Sequence, residues 1–490
     1  MYEAIIVGAG FGGMGAAIAL KRMKIDNILI LEREDGLGGT WHVNRYPGLA
    51  VDIASVTYSY SFEPNPYWSR MYAPGPELKK YAERVAAKYD LRRHMRFNTA
   101  VEQAIWDEKA QVWNVHLATG EVLVARYLFT ATGFLSQPKV PDIPGIETFA
   151  GKVIHSAKWD DTYELRGRKA ALIGTGATAV QLVPEVAKLV SELTVYQRTP
   201  IWVVPKVDGP IPKPVQFAFA HVPFAQKAAR LANSAYLEAL MVVGVLHYKQ
   251  ARATNKGAEL LARAHLRNQV PDPELRRKLT PQYSFGCKRP TFSNEYYPTF
   301  SKRHVTLETT SIDHIEPDGI VTVDGRKSQI DTLILCTGFD LWDANFPAFE
   351  IVGRQGRNLG KWWRENRFQA YEGVTIPYFP NFISLNSPYS YNGLSYFWTI
   401  EMQMKHMARL FGAMRKRRVK TFEVKQLPND EFLDRMTEKL DSSVFYRGDC
   451  SGANSYYFNQ HGEAALLRPT PTASGLWEAG RFPIDDYAYS

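Results

Sequence analysis

The sequence predicts an α/β protein built from two nucleotide-binding halves, and three observations predict it. Gly8-Ala-Gly10-Phe-Gly12-Gly13 joins a short apolar strand to an Ala-rich helix. Gly174-Thr175-Gly176-Ala177-Thr178-Ala179 does the same later in the chain. Each half then runs through a meander of short strands that closes on the same words, Thr132-Gly133-Phe134 and Thr337-Gly338-Phe339. A G-x-G-x-x-G/A turn between strand and helix aims backbone N–H groups at a phosphate. The fold class expected is therefore two Rossmann-like dinucleotide-binding domains, the second carrying a helical insertion.

In the first half, Ala4–Val7 reads as a buried strand, Met14–Met23 as its helix, and Ile28–Leu31 as the next strand. Gly8, Gly10 and Gly13 serve the tight turn, the approach to pyrophosphate and the helix–strand packing. Glu32 stands 24 positions after Gly8, where a carboxylate can bond ribose hydroxyls. In the second half, Ala170–Ile173, a helix through Gln181–Leu189 and Leu193–Tyr196 repeat the plan. The same 24-residue offset from Gly174 now reaches Arg198, followed by Thr199. A cation and a hydroxyl suit a 2′-phosphate. FAD is read at the first site and NADPH at the second.

The meanders are expected at Val101–Trp106, Val112–Leu117 and Val122–Phe129, and again at Val305–Glu308, Ile312–Glu316 and Ile320–Val323. Asp318-Gly319 and Asp324-Gly325 mark the second set as hairpins. Pro138, Pro141 and Pro144 mark a boundary. Domain spans follow: 1–140, 150–340 with an insertion near 215–280, and a return segment with C-terminal tail at 341–490. A helix is expected over Ser395–Met414.

At 490 residues the chain exceeds one ordinary core. The net charge of +9 admits nucleic acid, but the longest basic run is Arg415–Arg418, read as a solvated helix end. No nucleic-acid partner is expected. The longest apolar run, Ala239–Leu246, is too short to span a bilayer and reads as buried helix. The N-terminus lacks the pattern of a signal peptide. Cys287, Cys336 and Cys450 offer neither metal spacing nor a disulfide framework, which fits a reducing cytoplasm. No metal is expected.

Between the two halves lies Phe149-Ala-Gly151-Lys-Val-Ile-His155-Ser-Ala-Lys-Trp159-Asp160. Its pattern, F-x-G-x-x-x-H-x-x-x-W-D, resembles the fingerprint of the type I Baeyer–Villiger monooxygenases at every defining position. Gly38-Gly39-Thr40-Trp41, Asn44–Gly48 with Asp52, the Gln197-Arg198-Thr199-Pro200 run and Gly286-Cys287-Lys288-Arg289 are similar to blocks of the same family. The resemblance runs from Gly8 to about residue 480.

The resemblance implies that Gly39, Thr40, Trp41, Asp52, Tyr58 and Val101 line FAD. It implies that Gly174, Thr175, Gly176, Ala177, Thr178, Gln181, Arg198, Thr199 and Lys288 hold NADP. It makes Arg289 the cation beside the flavin, Asp52 its partner, and His155 and Trp159 auxiliary residues that tune the domain arrangement. The implied reaction is NADPH- and O2-dependent oxidation of a ketone to an ester or lactone through a C4a-peroxyflavin, by a monomer or homodimer. Two readings compete with it. An S- or N-oxygenating enzyme would use a protonated hydroperoxide, and an NADPH oxidase would leave the oxygen uncoupled. Lack of a cysteine pair near the flavin argues against a third, a dithiol reductase.

Overall fold

The computed structural model describes residues 1–490. Its first sheet takes its strands in the order Glu350–Val352, Val101–Asp107, Val112–Leu117, Val122–Thr130, Tyr2–Val7, Ile28–Leu31 and Met95–Arg96. Phe382–Ser384 also pairs with the Val122–Thr130 strand. Tyr2–Val7 is parallel to both its neighbours and buried through Ala4–Val7. This explains its unbroken apolar run: a central parallel strand has no solvent face. The helix Phe11–Arg22 behind it is buried from Phe11 to Leu20. The long helix Tyr396–Arg417 covers it and ends on Arg418 in the left-handed region, φ 57°. Arg415–Arg417 fill its last turn, as expected of a solvated helix end.

The second sheet is wholly parallel, in the order Val305–Glu308, Glu192–Tyr196, Lys169–Ile173, Thr332–Leu335 and Lys152–His155. The last strand corrects the sequence reading, which placed the 149–160 stretch between the two halves. Lys152–His155 pairs with Thr332–Leu335 as an edge strand, placing His155 beside Leu335. The small meander Ile312–Glu316, Gly319–Thr322 and Lys327–Gln329 is antiparallel. Val305–Glu308, expected in that meander, instead joins the parallel sheet through Glu192–Tyr196.

The insertion comprises helices Lys213–His221, Ala225–Leu246, Arg252–Gln269 and Pro273–Leu279. Ala225–Leu246 corrects a second expectation. It is a continuous 22-residue helix, apolar and long enough to cross a membrane, and only 33% of its most apolar stretch is buried. Its first part is interrupted by Gln226, Arg230 and Glu238, so the apolar run Ala239–Leu246 was only its last part.

Candidate active site

The first glycine-rich turn is shaped by close backbone approach. Gly8 has φ 113°, and a Cβ there would lie 2.4 Å from the Ala131 carbonyl oxygen. A Cβ on Gly13 would lie 1.9 Å from the Gly8 oxygen. Glu32 is 8% exposed, and its Oε2 accepts from the Ala9 backbone N–H at 2.8 Å. A carboxylate has further acceptor positions for the hydroxyls of a ribose. Val101 begins the strand after Asn98 and Thr99, whose backbone N–H groups bond to the oxygens of Glu34 and Glu32.

Over this turn lies the 38–41 segment, with Gly39 Cα 3.6 Å from where a Gly10 Cβ would be. Thr40 starts a short helical turn with Trp41. Trp41 Nε1 donates to the Tyr58 hydroxyl at 3.2 Å, and Tyr58 meets Phe397 edge-on. Along the return segment, Asn386 Oδ1, Ser387 Oγ and the Tyr396 hydroxyl are buried without a partner. The Tyr396 hydroxyl also stands 3.7 Å from a Cβ built on Gly12. Buried polar groups are seldom left unpaired. Here they suit a polar ring system between the glycine turn and the helix, and the residues present fit FAD.

The second turn repeats the geometry. Gly174 has φ 116°, and its Cβ would lie 2.3 Å from the Cys336 oxygen. Gly176 and Ala177 lead into the helix Ala177–Val186, whose first turn includes Thr178. Thr175 Oγ1 is spent on the Thr199 carbonyl at 2.6 Å, so only its backbone is free for a phosphate. Thr199 Oγ1 accepts from Asn454 Nδ2 at 2.8 Å, tying this turn to the C-terminal segment. Arg198 is exposed and Lys288 half-buried, and neither has a carboxylate partner. Burial, with the Arg198 charge, lowers the Lys288 pKa to about 8. Two cations held together without an anion fit a 2′-phosphate.

Gln181 lies where the halves meet. Its Oε1 accepts from the Tyr46 hydroxyl at 3.0 Å, and its Nε2 donates to the Ala50 oxygen at 3.0 Å. Gly48, at φ 80°, lets this loop approach, since a Cβ there would be 2.8 Å from the Gln181 oxygen.

Arg289 stands at the centre. Its Nε donates to Asp52 Oδ2 at 2.8 Å, and its Nη1 donates to the Tyr391 hydroxyl at 3.1 Å and the Gly393 oxygen at 3.0 Å. Burial works to lower its pKa, but the Asp52 carboxylate outweighs that and holds it well above the ordinary arginine value. The cation is therefore permanent and its plane is fixed by three partners. Tyr391 and Gly393 were read only as part of a return segment; their hydroxyl and carbonyl had no local signal of an arginine partner.

The fingerprint side chains stand apart from this centre. His155 Nδ1 accepts from the Ala157 N–H at 3.1 Å, and its Nε2 faces Thr337 Oγ1 at 3.5 Å. Burial lowers its pKa, favouring the neutral ring. Trp159 packs on the core of the second half together with Leu49 and Tyr163. Asp160 pairs with Lys152 at 2.6 Å. None of the three bonds to Asp52 or Arg289.

One expectation about cysteine fails. Cys287 and Cys450 form a disulfide across 163 positions, with Cα atoms 5.4 Å apart, while Cys336 is free and buried. Scattered spacing said nothing of this because the fold brings the C-terminal segment back onto the 286–289 loop. A cysteine pair therefore does exist, one member of it two positions before Arg289, and its supposed lack no longer argues against a dithiol reductase.

Relatives decide the matter. A protein of Pseudomonas aeruginosa described as a Baeyer–Villiger monooxygenase is 39% identical over 91% of this chain and 84% of its own. The chain belongs to the Baeyer–Villiger monooxygenase family. Residues 5–209 match the pyridine nucleotide-disulphide oxidoreductase family model. Cyclohexanone monooxygenase from Rhodococcus sp. Phi1 bound to NADP+ superposes with TM-score 0.88 at 27% identity, over 99% of this chain and 98% of that one. OTEMO in complex with FAD and NADP gives 0.87 at 26% identity, over 100% and 99%. The protein is an FAD-dependent NADPH monooxygenase of the Baeyer–Villiger type, and both glycine-rich turns belong to Rossmann domains.

Proposed function

We propose that this monooxygenase inserts oxygen into an apolar ketone beside Arg289, with Asp52, Tyr391 and Gly393 fixing that cation. The single observation that carries the reading is the three-partner hold on Arg289 at a partly buried position. FAD, reduced by NADPH, supplies the oxygen-activating chemistry when bound. Arg289 contributes a fixed positive charge where negative charge develops, in surroundings that keep water out. Its guanidinium cannot lose its proton in the working pH range, so it stabilises an anion without becoming an acid. Asp52 keeps the fork oriented and offsets the cost of burying it. The hydrogen bond from Arg289 to the Gly393 oxygen anchors the return segment to the same group.

Glu32 holds the FAD ribose, and Gly39, Thr40, Trp41, Tyr58 and Val101 enclose the cofactor. Arg198 and Lys288 hold the 2′-phosphate of NADPH. Gln181 acts as a positioning residue between the halves, as do His155 and Trp159. The domains divide near 1–140, 150–340 and 341–490. A cytoplasmic setting supplies NADPH; it requires the Cys287–Cys450 bond to resist reduction, which full burial of Cys287 favours.

The test is aerobic turnover with NADPH on a panel of ketones and sulfides, with products identified. Esters or lactones as the main products support the reading. Sulfoxides alone would favour an S-oxygenating enzyme, and hydrogen peroxide alone an oxidase.

A further inference from the structure

We infer that the insertion docks this enzyme on an anionic lipid surface, through an apolar stripe on Lys213–His221 and Ala225–Leu246. The first part of the longer helix is built inside out, while Val242, Val245 and Leu246 in its last part pack into the core. Over that first part, Gln226, Arg230, Asn233 and Glu238 turn toward the protein and bond there, although Arg230 Nε and Nη2 and the Ser234 hydroxyl are left without a partner. Gln226 Nε2 donates to the Asn65 oxygen at 2.7 Å. Arg230 Nη1 donates to the Ser59 oxygen at 2.9 Å, and its guanidinium lies over Trp398, 4.8 Å from the ring centre. Asn233 Nδ2 donates to Thr57 Oγ1 at 3.1 Å, and Glu238 accepts from the Thr472 N–H and hydroxyl, both at 2.9 Å.

The opposite face is apolar and open. Starting from Phe224 at its N-terminus, Ala228, Leu231, Ala235, Ala239 and Val243 recur at every third or fourth position, all exposed. Phe224 is 77% exposed, Leu231 70% and Tyr236 60%; on the neighbouring helix Phe217 is 61% exposed. A helix on a water-facing surface carries the reverse pattern. A contiguous exposed apolar face marks a site of association.

Charge selects the occupant. Residues 201–256 contain seven lysines and arginines and two acids. Both acids are engaged, Asp208 by Arg70 and Lys206, and Glu238 by Thr472. Lys213, Lys227, Lys249 and Arg252 are exposed and lie on or next to the helices bearing the stripe. A second copy meeting this face across a two-fold axis would bring like charges together. An anionic bilayer answers both the apolar stripe and its basic surroundings. The helix lies in the interface rather than crossing it, because its inner face is bonded to Ser59, Thr57 and Asn65. That same inner face covers the segment around Tyr58, so the docked side stands directly outside the candidate site.

The test is co-sedimentation of the FAD-loaded protein with phosphatidylcholine vesicles containing about one third phosphatidylglycerol, beside pure phosphatidylcholine. Binding to the anionic vesicles, weakened by roughly 0.5 M salt, is expected. Leu231→Glu with Phe217→Glu should lower it about tenfold or more. Lys213→Glu with Lys227→Glu should lower it on the anionic vesicles. Turnover of a water-soluble ketone should be unchanged in both variants, which shows that they fold. No sedimentation with either vesicle would overturn the proposal. So would a dimer in light scattering that Leu231→Glu with Phe217→Glu converts to monomer, because a second copy would then own the face.

Discussion

The two nucleotide-binding turns are near-duplicates that differ in how far they are closed. Gly8 and Gly174 have φ of 113° and 116°, and each lies over a carbonyl at the end of a strand, Ala131 or Cys336. Beyond that point they part. Gly13 packs against the Gly8 oxygen, but the corresponding place in the second half is Ala179, whose Cβ is accommodated. Gly10 faces Gly39, whereas a Cβ on Gly176 would meet nothing within 4 Å. Glu32 is buried in its turn and Arg198 is exposed at its own. One turn is sealed by a loop and a buried helix, as suits a cofactor that stays. The other is left open on one side, as suits a cofactor that must come and go with each turnover.

The largest effect that would sharpen this contrast is steric. Gly13→Ala places a methyl group at 1.9 Å from a backbone oxygen and must push helix from strand. It should cost about 4 kcal/mol or more and strip the protein of FAD. Ala179→Gly, the reciprocal change, should cost about 1 kcal/mol. Flavin content and thermal melting measure both, and equal losses would erase the distinction between the turns.

Next comes the phosphate. Arg198→Ala should lower kcat/KM for NADPH roughly 10- to 150-fold, the value of a charge-assisted hydrogen bond, and leave NADH nearly untouched. Equal loss with both cofactors would mean that Arg198 does not read the phosphate. His155→Ala or Trp159→Ala should lower ester formation roughly tenfold while FAD stays bound, if these residues set the fit of one half on the other as proposed. Wild-type turnover in both variants would make the fingerprint a packing feature only.

The smallest effect is a pH dependence. Burial and Arg198 lower the Lys288 pKa to about 8, so its charge is present below that pH and lost above it. KM for NADPH should therefore rise above pH 8, by at most about tenfold per unit, while KM for NADH stays flat. Lys288→Met should abolish the rise, and a rise that survives in that variant would place the titrating group elsewhere.

The features legible in the sequence were those fixed by local chemistry. The glycine turns, Ile28–Leu31, Val112–Leu117 and Val305–Glu308 have the expected bounds, the first strand because a buried strand leaves a continuous apolar run and the other two because apolar and polar residues alternate. The pairing of Asp52 with Arg289 was expected from motif resemblance, and the structure brings the two together. What escaped depends on distant partners. Lys152–His155 is a strand only because Thr332–Leu335 lies beside it. The disulfide joins residues 163 positions apart. Tyr391 acts through one hydroxyl whose target lies on another part of the chain. The first part of the helix Ala225–Leu246 hides behind an inverted pattern, polar inward and apolar outward, that periodicity alone assigns to the wrong face.

The most direct test of the account separates flavin reduction from oxygen insertion in Arg289→Ala. The variant should still be reduced by NADPH in anaerobic stopped flow, because Arg198 and Lys288, the pair proposed to hold the 2′-phosphate, are intact. Under air its ester yield should fall by about 3 kcal/mol of transition-state stabilisation, on the order of 10²-fold. Arg289→Lys should recover little, since an ammonium cannot hold Asp52, Tyr391 and Gly393 through one planar fork. Full ester yield from Arg289→Ala would contradict the account and remove this residue from the chemistry.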